Sequence, residues 1–208
     1  MTISAKDFFP SGGGATAPFY NDPLPAEAYI SGRYYGPSVD YKFTSGAALA
    51  ADTIFYVPFV PFAAATFTKI SVYNTSAGEN GNVFRLALYD SADGRPDSLL
   101  TSADNEITLG AAAALRTATI SYTVAVETLY FIAISMNQSS TVYCFKGDTN
   151  VGLQRPTLNT YGITAAETAI DFGSGRGMTE SHVYGAGVPS TAAAAFAGDS
   201  FPKLYLGL

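Results

Sequence analysis

The sequence predicts an all-β protein: an antiparallel β-sandwich, jelly-roll-like, preceded by an extended N-terminal arm. Three observations predict it. From residue 39 onward apolar and polar residues alternate with a period of two in one segment after another. These segments recur roughly every ten residues, the spacing of sandwich strands and their turns. Between them stand Gly, Asn, Asp and Pro, the residues that turns require.

The first expected strand is VDYKFTS (39–45). TIFYVPFV (53–60) follows, apolar on both faces, and its Pro58 implies an edge or a bulge because proline cannot donate to a ladder. In TFTKISVYN (66–74), Ile70 and Val72 face one way while Lys69 and Ser71 face the other. In VFRLALYD (83–90), Phe84, Leu86 and Leu88 share a face opposite Arg85. ATISYTV (118–124) puts Ala118, Ile120, Tyr122 and Val124 together. LYFIAISM (129–136) and STVYCFKG (140–147) are apolar enough to be central, and KLYLGL (203–208) alternates once more. The alanine runs GAAAAL (110–115) and TAAAAFAG (191–198) tempt a helical assignment, but each spans about one turn between Gly and Thr, and both are expected to be loop.

Two regions lack this period. Residues 1–38 carry SGGG at 11–14, five prolines and the aromatic pairs Phe8-Phe9, Phe19-Tyr20 and Tyr34-Tyr35. Gly and Pro oppose helix and central strand there, so the expectation is an extended arm that uses its aromatic pairs to grip a neighbouring subunit or another protein. Residues 39–208 then form the sandwich domain. Within it, 148–202 is a glycine-rich excursion, and long loops of this kind more often carry contacts than scaffold.

Composition excludes several functions. Charged residues are 13% of the 208, about half the ~25% of ordinary soluble domains. The net charge is −6 with no Lys/Arg cluster, which argues against nucleic-acid binding. No stretch approaches the ~20 apolar residues of a membrane helix. The N-terminus lacks the basic-then-apolar order of a secretory leader, so a soluble chain made in the cytosol is expected. Cys144 and His182 are the lone residues of their kinds. A metal cluster cannot be assembled from one of each, and Ser181 stands too close to His182 in sequence to act as its triad partner. Cys144, within TVYCF, is expected to be a buried structural thiol. No cofactor is expected.

Three groups of polar residues compete for a functional role. The aspartates of DSADGRPD, Asp90, Asp93 and Asp97, can be a turn, a surface cation site or a catalytic carboxylate pair. Their spacing does not fit an EF-hand loop, and Asp93-Gly94 is a strong turn dipeptide, so the turn is preferred. TSAGENGN (75–82) is a hairpin connection whose Asn80 and Asn82 could hydrogen-bond sugar hydroxyls. GSGRG (173–177) lacks the Lys-Ser/Thr of a phosphate loop. Beside it, Arg176, Glu180, His182 and Tyr184 combine a stacking ring with directional donors and acceptors, the residue types that hold carbohydrate, although a solvated loop would look the same.

The segments ISVYN, VFRLALYDSADGRPDSLL, LYFIAIS and FPKLYLGL resemble a recurrent β-sandwich domain of tailed-bacteriophage virion proteins. The shared pattern is an apolar strand, a Gly/Asn loop, a strand of the form V-R-L-x-L-Y-D, a D-G-x-P turn followed by S-L-L, and a later W/Y-x-A strand, matched here by Leu129-Tyr130-Phe131-Ile132-Ala133. The resemblance covers residues 40–146 and the last strand; the chain departs from it in lacking Trp and in its long excursion. It implies a homotrimeric structural protein of the virion, assembled in the host cytoplasm, in a tail fibre, tail tip or head spike, often with a role in attachment to the host surface. It implies no catalytic residues. The expectation is therefore a non-enzymatic virion protein docked to other virion proteins through its arm, binding host-surface polysaccharide through its loops. A head decoration or spike-base protein with purely structural contacts is the first alternative, and a polysaccharide depolymerase the second.

Overall fold

Thirteen strands, from Tyr34–Tyr35 to Leu204–Gly207, make up the fold in a computed structural model that describes residues 29, 31–36, 43–74, 82–108, 112–146, 177–197, 200–202 and 204–208. They are β1 (Tyr34–Tyr35), β2 (Phe43–Leu49), β3 (Thr53–Phe59), β4 (Ala65–Asn74), β5 (Val83–Ala92), β6 (Arg95–Thr108) and β7 (Ala114–Val124). The chain continues with β8 (Tyr130–Met136), β9 (Ser140–Lys146), β10 (Gly177–Ser181), β11 (Ala195–Ala197), β12 (Ser200–Pro202) and β13 (Leu204–Gly207). All pairings are antiparallel, in two sheets packed face to face: the expected β-sandwich.

The six-stranded sheet runs β11-β10-β3-β8-β5-β6. The other follows β1-β13-β4-β9-β12, with β7 on β4 and β2 on β9. The period-two pattern assigns the inner faces directly. Phe55, Val57 and Phe59 of β3, Phe84, Leu86 and Leu88 of β5, and Tyr130, Ile132, Ile134 and Met136 of β8 meet Phe67, Ile70 and Val72 of β4. Ala118, Ile120 and Val124 of β7 and Leu204 and Leu206 of β13 complete this core. Each of the Val, Leu, Ile, Phe and Met side chains buried here contributes on the order of 2 kcal/mol.

Strands β3 and β8 are apolar on both faces because both faces are covered. Ile54, Tyr56, Ala87, Tyr89, Phe131, Ala133 and Met178 form a second core on the outside of the six-stranded sheet. Leu99, Leu129, Val188, Ala192 and Ala194 pack against it. Residues 182–194 thus form a strap across that sheet. Pro58 pairs with Phe131 of β8 on one side and lies beyond the last rung of β10 at Tyr56↔Met178 on the other, so the end of β3 that carries it has a sheet edge on the β10 side.

Several expectations are corrected. RPDSLLTSADNEIT forms the long strand β6, whose register slips against β5 between Phe84 and Leu86, between Leu88 and Tyr89 and between Tyr89 and Ser91. Bulges at these slips break the alternation that would have revealed it. Of the two alanine runs expected to be loop, Ala114 and Leu115 begin β7 and Ala195–Ala197 form β11, because the edges of β4 and β10 supply backbone partners that outweigh alanine's weak preference for strand. The excursion contributes β10, β11, β12 and the strap to the described fold.

Tyr34 and Tyr35, assigned to the arm by sequence, pair with Gly207 and Leu206 of β13. Tyr29 is buried, with its ring 4.5 Å from Tyr35, 4.2 Å from Phe62 and 4.9 Å from Phe67. Its hydroxyl accepts a hydrogen bond from the Phe62 N–H at 3.2 Å. The sandwich therefore already includes Tyr29. Phe8, Phe9, Phe19 and Tyr20 lie outside the described residues.

Candidate functional site

The aspartate knot is a hairpin corner. Ala92 pairs with Arg95, leaving Asp93 and Gly94 as a two-residue loop with φ of 51° and 75°. Both central residues being left-handed makes this a type I′ turn, whose twist matches that of the flanking strands. Asp90 Oδ1 accepts the Ser98 N–H at 2.6 Å, and Asp97 Oδ2 accepts the Ser98 hydroxyl at 2.9 Å. The two carboxylates satisfy donors at the bulge where β6 slips past β5. Among the described residues, no three of His, Cys, Asp and Glu are grouped so as to hold a metal ion.

The residues suggested for carbohydrate are distributed as follows. Arg176 and Asn80 lie outside the described residues. Asn82 is buried, and its Nδ2 donates to Ser140 Oγ at 2.7 Å, tying the start of β5 to that of β9. Glu180, His182 and Tyr184 belong to β10 and the strap, and their polar atoms are aimed at the protein. Glu180 Oε2 accepts the Tyr56 hydroxyl at 2.8 Å and the Ala193 N–H at 2.9 Å. His182 Nε2 lies 2.7 Å from the Gly187 carbonyl, and the His182 backbone N–H donates to the Asp52 carbonyl at 2.9 Å.

Tyr184, in a single 3-10 turn (Tyr184–Ala186), is buried, and the Arg85 guanidinium carbon stands 4.3 Å from its ring centroid. Arg85 also donates to the Tyr184 carbonyl and, at 3.1 Å, to Glu106 Oε1. Asp52 Oδ1 accepts the Tyr184 N–H at 2.9 Å. Burial pushes the Tyr184 hydroxyl up to about 12; Arg85 opposes this shift and Glu106 adds to it.

Sequence reasoning did not anticipate the partners: Asp52, Tyr56, Arg85 and Glu106. The available signal was Arg85, a cation on the outward side of an otherwise apolar strand, which implied something to cover and pair it. Further along, Tyr89 donates to the Pro189 carbonyl at 2.7 Å and Arg95 to the Ala194 carbonyl at 3.2 Å. Leu99 N–H to Ser190 and Ala192 N–H to Asp97 add backbone bonds. Burial, then the neighbouring Tyr89, raises the Tyr56 hydroxyl far above the normal phenol range, and burial does the same to Tyr89. These phenols stay protonated as donors at physiological pH, Tyr56 to the Glu180 carboxylate and Tyr89 to the Pro189 carbonyl.

In the described part of the excursion, then, the ionisable side chains fasten a strap to a sheet. Glu180 and Glu106 are both held by donors from within the chain, one by Tyr56 and Ala193, the other by Arg85. No protein-family model matches this chain, and no curated protein matches it.

Proposed function

We propose that the chain is a structural protein of a bacteriophage virion, part of a projecting spike or fibre that contributes to attachment at the host-surface glycan. The observation that carries this reading is the β5–β6 hairpin. The residues that resemble the phage domain, VFRLALYDSADGRPDSLL, form one continuous unit: an alternating strand, an Asp-Gly turn, a buried Pro96 and a return strand that receives the strap. Each element of the pattern has a structural use here, so the resemblance rests on residues that build architecture.

The absence of a catalytic role is part of the same proposal. It draws support from carboxylates that accept internal hydrogen bonds: Asp52 from Tyr184, Asp90 and Asp97 from Ser98, and Glu180 from Tyr56 and Ala193. Residues 1–28 are proposed as the docking arm for other virion proteins, with a homotrimer as the assembled form.

The test is the location of the chain. An antibody against the full chain and mass spectrometry of purified particles are expected to find it in intact virions in several copies. Its absence from intact particles overturns the proposal. A deletion of residues 2–28, which spares Tyr29, is expected to fold and to be lost from particles. Normal incorporation of that variant removes the docking role of the arm.

A further inference from the structure

The two sheets differ in charge. The strands of the seven-stranded sheet (β1, β2, β4, β7, β9, β12, β13) contain Lys69, Arg116 and Lys146 and no Asp or Glu. The strands of the six-stranded sheet contain Asp90, Asp97, Asp104, Glu106 and Glu180 against Arg85 and Arg95. On a chain of net charge −6, one sheet is thus free of acidic side chains along its whole strand length.

The outer side of that sheet has a defined centre. In register, Tyr34 of β1 lies beside Gly207 of β13, which lies beside Lys69 of β4, which lies beside Thr119 of β7. A Cβ placed on Gly207 would stand 2.9 Å from Tyr34 Cε1 and 3.3 Å from Lys69 Cβ. The tyrosine ring and the lysine stem therefore meet over the glycine. The next row, one pleat along, is Tyr205, Ser71 and Thr117; it lies about 7 Å away along the strands, with about 5 Å between neighbours. Ser71 and Thr117 hydroxyls are 2.9 Å apart, and those of Thr66 and Thr123 are 2.7 Å apart. Ser71 is fully buried, so in the first pair only the exposed Thr117 can meet an outside partner, whereas Thr66 and Thr123 are both exposed. Tyr34, Thr117 and Thr119 are exposed.

We infer that this face, centred on Tyr34, Lys69 and Thr119, binds an acidic polysaccharide. The ring of Tyr34 offers a surface for the apolar side of a sugar, and the exposed Thr hydroxyls exchange hydrogen bonds with sugar hydroxyls. The half-buried Lys69 donates through Nζ to the Leu208 oxygen at 3.4 Å and keeps further protons that draw a uronate-type carboxylate. The charge supports this occupant over a neutral one: repulsion from the chain's own acids is absent along these strands. The inference rests on the attachment reading and places the site on the sheet face instead of the loops after residue 148.

The test uses affinity electrophoresis of the full chain through gels cast with alginate, a soluble polyuronate, or with neutral dextran. Alginate is expected to retard the chain, less so as salt rises, and dextran is not. Tyr34→Ala and Lys69→Gln are each expected to weaken alginate binding about tenfold or more, while Glu180→Gln leaves it unchanged. No retardation by alginate overturns the inference, as does equal retardation by dextran or retention of full binding in both face variants. If light scattering shows that Lys69→Gln dissociates an oligomer while alginate binding persists, the face joins copies of the chain and the inference falls. Each of these failures leaves the virion reading standing, because that reading is decided by presence in particles.

Discussion

The hydroxyl of Tyr56 reaches Glu180 Oε2 at 2.8 Å across 124 positions of sequence, and the same carboxylate oxygen accepts the Ala193 N–H at 2.9 Å. One carboxylate therefore joins the buried face of β3 to the far end of the strap. Tyr56→Phe is expected to cost about 1–2 kcal/mol in urea denaturation. Glu180→Ala should cost at least as much, because it strands both donors. Glu180→Gln should cost less, since its amide oxygen still accepts. Because the carboxylate holds the strap in particular, Glu180→Ala should also speed proteolytic cleavage within 182–194. A cleavage pattern unchanged from the parent chain counts against the latch.

The Asp93-Gly94 turn gives a second prediction. Gly94 has φ of 75°, a conformation costly for residues with a Cβ. Gly94→Ala is expected to lower stability by about 1 kcal/mol, and Asp93→Val by more, since a β-branched residue adopts positive φ poorly. Asp93→Asn should be nearly silent. Asp90→Ala, which leaves the Ser98 N–H without its acceptor, should cost about 1–3 kcal/mol, whereas Asp90→Asn retains an oxygen there. Thermal unfolding of the five variants checks the order.

Buried phenols set the alkaline limit. Burial pushes the Tyr29, Tyr184 and Tyr205 hydroxyls up to about 12 from the ordinary 10. A raised folded-state pKa means that the unfolded chain loses these protons first. The stabilisation is complete below pH 10, declines as pH rises from about 10 to 12, and is gone above the folded-state value. Absorbance at the phenolate band of the native chain should show a group of tyrosines lagging by about two pH units behind the unfolded chain. In strong denaturant the lag should vanish. A single ordinary titration of all 14 tyrosines in the native chain would refute this burial.

The contact between Tyr34 and Gly207 supplies a fourth prediction. Gly207→Ala should displace the ring, because the new Cβ has only 2.9 Å to Tyr34 Cε1. The cost is expected at about 1–3 kcal/mol. In a Tyr34→Ala background most of that cost should disappear, and a double-mutant cycle reads the difference. Additive costs would mean that the ring and the glycine do not meet.

Much of this fold was legible because burial on one face or two leaves different marks. Single alternation marked β4, β5 and β7, and apolar runs marked β3 and β8, whose two faces are both covered. The Asp-Gly turn was legible because few dipeptides suit two positive φ angles. Strand β6 was hidden by its bulges and its polar edge, and β10–β12 by being so short. Tyr34-Tyr35 offers two residues and no period at all. The candidate site was harder to read. Sequence can identify Asn82, Glu180 and His182 as polar residues in connecting segments, but whether a polar atom meets solvent or a distant donor depends on pairings more than 40 residues away, such as Asn82 with Ser140 and Glu180 with Tyr56.

The strap also fixes an order of events. Ile54, Tyr56, Ala87 and Tyr89 lie on strands that can pair once β8 exists, yet their outer face is covered by Val188, Ala192 and Ala194. Until synthesis has passed residue 194, the growing chain can hold a formed sheet with an uncovered apolar face, the kind of surface that draws nascent chains into aggregates. Closing contacts this distant in sequence also places the protein among slow folders, in the millisecond-to-second range. A chain stopped at residue 181 should therefore accumulate as insoluble protein, while the full chain clears that window once residues 182–194 have emerged.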